Sequence, residues 1–144
     1  MQHKNGMLIF RSLLMCLFVM AVAGCGSQVR VSGKVVLKGT DQPIARGVIY
    51  FANDTNVAHG ALNTEGEFRM SSKGQNDGLP AGTYTVYLTG TSEVDFSTTK
   101  KGMTTITEKA AIADKYTKQS TSDIVVEVNS RSRHFVIEVD GPGK

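Results

Sequence analysis

Three side chains stand out as able to do chemistry once the apolar first stretch of the chain is set apart: Cys25, His59 and His134. Neither histidine has a second His, Cys or carboxylate at the spacing a metal site needs. Serine is frequent, but no G-x-S-x-G turn raises one above a sheet. The carboxylate pairs Glu65/Glu67 and Glu93/Asp95 fall where strand or loop geometry turns them to solvent, which suits solubility better than glycoside hydrolysis. Asn53-Asp54-Thr55-Asn56 offers oxygen ligands without the glycine and distal Glu of a calcium loop, so it reads as a turn. No glycine-rich phosphate loop opens a helix. The expectation is a chain that is not an enzyme, with no catalytic residue, cofactor or metal site. A hydrolase would need a site assembled only in three dimensions, visible as a concave cluster of His, Asp, Glu or Ser.

The elements around Cys25 say more. Lys4 and Arg11 form a positive head, residues 13–23 are uncharged and apolar, and the small Ala23 and Gly24 follow. So short a run falls below the roughly 20 residues that span a bilayer and matches a secretory signal. Val22-Ala23-Gly24-Cys25 resembles the bacterial lipobox: an aliphatic residue, two small ones and a cysteine. The resemblance implies a diacylglyceryl group on the Cys25 sulfur and cleavage between Gly24 and Cys25. Residues 1–24 are then a signal helix that is removed, and 25–28 a tether. The domain is exported, anchored to the cell membrane or outer membrane, and faces the periplasm or exterior.

Removal of that leader leaves 120 of the 144 residues, enough for one domain with a core. Of 16 basic and 13 acidic side chains, Lys4 and Arg11 depart, leaving 14 against 13. A nearly neutral chain lacks the dense positive footprint of a nucleic-acid binder. Cys16 leaves with the signal, so Cys25 is the sole remaining cysteine and its sulfur is committed to lipid. No disulfide or thiolate metal site is available.

Residues 29–140 read as the domain. Alternation predicts strands at 29–38, 47–51, 58–63, around Phe68 and Met70, 83–89, 124–128 and 135–139. Turn formers cluster at 39–43 and 64–67, where Gly66 can take positive φ. Residues 90–122 form an irregular excursion, with a short helix expected over 107–116 because Ile112 and Tyr116 lie one turn apart. Its lysines, Lys100, Lys101, Lys109, Lys115 and Lys118, are largely offset by Glu93, Asp95, Glu108 and Asp114. Residues 141–144 are a tail. Seven short strands with regular turns predict an all-β, antiparallel β-sandwich.

The turn-rich connections carry a second resemblance. Val31-Ser32-Gly33-Lys34-Val35, Gln42-Pro43-Ile44 through Val48-Ile49-Tyr50-Phe51, Asn63-Thr64-Glu65-Gly66-Glu67-Phe68 and Leu79-Pro80-Ala81-Gly82-Thr83-Tyr84-Thr85-Val86 resemble the carboxypeptidase regulatory-like (transthyretin-like) domain over residues 29–89. Lys115-Tyr116 with Thr121-Ser122-Asp123-Ile124 resembles small lipoproteins of planctomycete-type bacteria that carry such domains. This resemblance implies a transthyretin-like or Ig-like sandwich serving as an accessory module, without peptidase chemistry. The hydroxyisourate-hydrolysing branch ends in Tyr-Arg-Gly-Ser, whereas this chain ends Gly-Pro-Gly-Lys, so that activity is not carried over.

The leading expectation is a lipid-anchored, non-catalytic binding or structural module of the cell envelope. Its partners are the membrane through Cys25 and an envelope protein or a glycan. Loops concentrate binding residues, which makes 90–122 the first expectation for a recognition surface. A glycan-binding module needs an exposed aromatic platform, for which Tyr50, Tyr87 and Phe96 are the candidates.

Overall fold

A computed structural model describes residues 27–98, 102 and 104–143. The expected signal peptide, with Gly24 and Cys25 at its expected cleavage site, lies outside the described residues, as do Lys100 and Lys101. Among the described residues eleven strands follow in chain order: β1 (Gln28–Val29), β2 (Ser32–Leu37), β3 (Val48–Ala52), β4 (Val57–Ala61), β5 (Glu67–Arg69), β6 (Leu79–Pro80), β7 (Gly82–Thr89), β8 (Glu93–Thr98), β9 (Thr104–Lys109), β10 (Val125–Val128) and β11 (His134–Val139). Seven of them build the sandwich as a four-stranded sheet, β10-β7-β3-β4, and a three-stranded sheet, β11-β2-β5. Each of the seven alternating stretches in the sequence supplies one of these strands. The protein is an all-β sandwich.

Alternation decides which side chains face inward. Val31, Val35, Phe68, Ile137 and Val139 point inward from one side, and Ile49, Phe51, Ala58, Tyr84, Val86, Leu88 and Val128 from the other. Phe51 joins the layers: its ring centroid lies 6.0 Å from that of Phe68, 6.4 Å from Tyr84 and 5.9 Å from Phe135. Offset and edge contacts of this kind add to the burial of aromatic area.

Strand direction is not written in alternation, and one pair departs from the antiparallel expectation. β11 runs parallel to β2, with His134 opposite Ser32 and Val139 opposite Leu37. The reason is a change of sheet. β10 pairs antiparallel with β7, the turn at 129–132 carries the chain across to the other layer, and β11 returns in the direction of β2. This topology gives the sandwich two distinct ends. At the entry end the chain arrives at Gln28, β2, β7 and β11 begin, and β5 and β10 finish. At the far end β2, β7 and β11 finish.

The stretch at 90–122 also differs from expectation. Residues 104–109 are a strand rather than part of a helix, in keeping with the β-branched run Thr104-Thr105-Ile106-Thr107. β8 and β9 pair with each other as a two-stranded ribbon at the far end. Among the described residues only Asp114–Thr117 is helical, as one 3₁₀ turn. Ile112 and Tyr116 are both buried, so the apolar spacing that prompted the helix does serve the core.

A polar clamp holds that turn. The Lys115 ammonium contacts Asp123 at 3.0 Å and Asp140 at 3.2 Å, and the Tyr116 hydroxyl donates to Asp140 at 2.9 Å. Thr121 donates to the Lys115 carbonyl at 2.8 Å, and Ser122 donates to the Val86 carbonyl. The Tyr116 hydroxyl, with Asp123 and Asp140, holds the Lys115 ammonium well above its ordinary range. The Lys115-Tyr116 and Thr121-Ser122-Asp123 pieces of sequence therefore fasten the turn to β7, β10 and the end of β11.

Candidate ligand groove

The groove begins from the meeting of two sheet edges. β4 ends the four-stranded sheet and β5 ends the three-stranded one. Beside them His59 and Ser71 exchange backbone hydrogen bonds, 2.9 Å from the His59 N–H and 2.8 Å from the Ser71 N–H. Gly60 permits this approach, because a Cβ there would stand 2.6 Å from the Arg69 carbonyl oxygen. The closed edge forms the floor and one wall of a groove of about 650 Å³.

Register brings the polar lining together. His134, Ser32 and Arg69 occupy one rung across β11, β2 and β5. The Ser32 hydroxyl lies 3.2 Å from His134 Nδ1. Asn63 orders the opposite side: its side-chain oxygen accepts the N–H groups of Glu65 and Glu67 at 3.0 and 2.8 Å, and its amide donates to the Glu67 carboxylate at 3.1 Å. His59 stands on the β4 side, and Gln75 and Asn76 close the end. The two histidines, 75 positions apart in sequence, thus line one groove together with Glu67 and Arg69.

An aromatic row continues outward from His59. Tyr87, Tyr50 and His59 are successive partners across β7, β3 and β4. Tyr50 and Tyr87 stack at 4.8 Å with an interplanar angle of 7°, and His59 lies 6.2 Å from Tyr50. Burial, with Tyr50 adding, pushes the Tyr87 hydroxyl above its ordinary range. Both tyrosines are half-buried. Phe96 stands elsewhere, 66% exposed on the β8–β9 ribbon opposite Ile106, so the three rings do not form one platform.

The chemistry available is hydrogen bonding with both donors and acceptors. Ser32 and His134 form a serine–histidine contact, but no described carboxylate hydrogen-bonds the His134 ring. A nucleophile–base pair ordinarily has such a third group to fix the imidazole. Among the described residues, no group of three His, Cys, Asp or Glu is placed to hold a metal ion.

The other residues with chemical potential are dispersed. Glu65 is exposed beside the groove, and Glu93 and Asp95 sit on the ribbon. Asn53 accepts the backbone N–H groups of Thr55 and Asn56 at 3.1 and 2.8 Å, which makes 53–56 a side-chain-capped turn. Glu67, Arg69, Asn63, Gln75 and Asn76 were not legible as site residues. Their only common property is position around a closed sheet edge, and no local pattern encodes that.

No protein-family model matches this chain, and no curated protein matches it. Among solved structures, it is similar to BcpA, the major pilin subunit of Bacillus cereus, at 10% identity and a TM-score of 0.47, over 80% of this chain and 30% of the pilin. A variant of that pilin aligns at 11% identity and a TM-score of 0.44. A 9R-lipoxygenase from Cyanothece aligns at 8% identity and a TM-score of 0.34, over 78% of this chain and 16% of the lipoxygenase. The chain thus spans under a third of the length of these proteins.

Proposed function

We propose that this chain is a lipid-anchored module of the cell envelope whose sandwich binds a ligand in the groove between His59 and His134 without transforming it. The observation that carries the binding role is the lining itself. Ser32, His59, Asn63, Glu67, Arg69 and His134 converge on one concave surface although they come from four different strands and a loop. Convergent polar groups in a groove are an ordinary mark of a binding site. The lipid anchor rests on the sequence around Cys25, and a short tether would keep the domain close to it. Gln28 already pairs with Pro80, three positions after Cys25.

A glycan is the ligand class the lining favours over an apolar peptide. Amide, guanidinium and carboxylate groups complement sugar hydroxyls, and the Tyr87–Tyr50–His59 row flanks them with ring surface.

Two measurements test this. Metabolic labelling with a fatty-acid analogue should mark the wild type and not Cys25→Ser; equal labelling of both would refute the anchor. Cross-linked capture from envelope fractions should enrich one partner or glycan with the wild type and lose it with Arg69→Ala and His59→Ala. Capture that is unchanged in both variants would leave the groove without a ligand role and favour a purely structural module.

A further inference from the structure

We infer that the entry end of the sandwich is itself a docking surface for anionic lipid headgroups, holding the domain upright on the membrane that carries its anchor. This rests on the proposed lipidation of Cys25 and adds to it a second, electrostatic contact.

Five arginines follow Cys25, and four of them, Arg30, Arg69, Arg131 and Arg133, gather at this one end. Topology collects them around a single rung. Arg69 is opposite Ser32 on β5, the Arg133 carbonyl accepts the Ser32 N–H at 3.0 Å, Arg30 lies two residues before Ser32, and Arg131 sits in the adjoining turn. All four are exposed. Among the described residues the ion pairs are those of Lys115, near the other end, so none of the four has a carboxylate partner there. Arg30 and Arg69 also flank a cleft of about 350 Å³ with Ser32, Gln75 and Asn76, a set of donors suited to a phosphate. Lys73 adds a fifth cation; Asp54, Asp77 and Glu127 are acids of the same end, and Glu67 stands two residues from Arg69 on β5. Asp77 is turned inward on its own loop, accepting the N–H groups of Ser72, Lys73 and Gly74.

Two facts select a membrane as the occupant. The charge is complementary to anionic headgroups, for which each Lys or Arg at the surface is worth about 1 kcal/mol, or about fivefold in affinity. The chain also enters at this end, so an acyl group on Cys25 would bring these arginines within a few residues of the headgroups. The two acyl chains of a diacylglyceryl group already anchor stably, so the arginines act on the orientation of the domain rather than on its retention.

The test uses the full chain, purified from membranes and placed in vesicles of phosphatidylcholine alone or with about 30 mol% phosphatidylglycerol. With Cys25 acylated, a thiol probe reports only from Ser130→Cys at the entry end or Asp41→Cys at the far end. Quenching by headgroup-labelled lipid should rise with phosphatidylglycerol for the probe at 130 and not for the probe at 41. The rise should vanish at about 0.5 M salt, where screening is short-ranged. It should also fall at least about tenfold in apparent lipid affinity in Arg131→Gln/Arg133→Gln. Equal quenching in both vesicle types by an acylated protein overturns the inference. Intact mass reads acylation separately. If the acyl group is missing, the anchor reading fails, and sedimentation with phosphatidylglycerol vesicles decides the arginine surface: salt-sensitive binding supports it and no binding refutes it.

Discussion

Gly33 on β2 faces the backbone of Phe135 on β11 so closely that a Cβ on Gly33 would stand 2.1 Å from the Phe135 carbonyl oxygen. It would also lie 2.7 Å from the Phe68 ring. A strand glycine marks such an approach. Gly33→Ala must separate β2 from β11 or displace Phe68. Overpacking of this kind costs up to about 3 kcal/mol, which should lower the urea midpoint by about 1 M or more.

The Tyr84 hydroxyl donates to the Pro80 carbonyl at 2.8 Å, four residues upstream at the entry end. Its ring is buried in the core. Tyr84→Phe keeps the ring and leaves the carbonyl short of one donor. The expected loss is about 1 kcal/mol, readable as a fall of several degrees in thermal midpoint, with the native circular dichroism retained.

Asp140 links the clamp to acid stability. The Tyr116 hydroxyl and then the Lys115 ammonium hold its carboxyl below the ordinary carboxylate range, and the backbone N–H groups of Ser72 and Gly74 do the same for Asp77. A carboxyl whose folded value is depressed contributes stability that is present above its unfolded value, near pH 3.9, and is lost as pH falls through the folded one. Urea midpoints should therefore drop below about pH 4. Asp140→Asn should be less stable at neutral pH and show a shallower acid decline. An unchanged pH profile in Asp140→Asn would contradict the clamp.

The β8–β9 ribbon contributes little to global stability. Its twelve strand residues are all exposed, Phe96 at 66% and Ile106 at 64%. Phe96→Ser and Ile106→Ser should each change the unfolding free energy by no more than about 0.5 kcal/mol. Amides of the ribbon should exchange with solvent well before those of β3 and β7. Protection equal to that of β3 would mean the ribbon is packed against something else.

Much of the fold could be read directly. Val31 and Val35 with Tyr84, Val86 and Leu88 alternate cleanly, and each inward position is buried. Gly66 adopts a φ of 74° in the turn where its freedom was expected. The helix over 107–116 misled because a four-residue spacing of Ile112 and Tyr116 suits an α-helix and equally a bent loop pressed on a core. β-branched residues decided 104–109 in favour of strand, and the clamp around Lys115 shortened what followed to one turn.

From local residue types alone came the alternation that makes strands, the turns, and the Cys25 context that implies export and a lipid. These depend on neighbours a few positions apart, which the chain states outright. Only the tertiary structure decided that His59 and His134 share a groove, that Glu67 and Arg69 line it, and that four arginines collect around Ser32. Those placements follow from the parallel pairing of β11 with β2 and from the closure of β4 on β5. The first joins segments about a hundred positions apart and the second bends two consecutive strands into different sheets; alternation carries no information about which strand lies beside which.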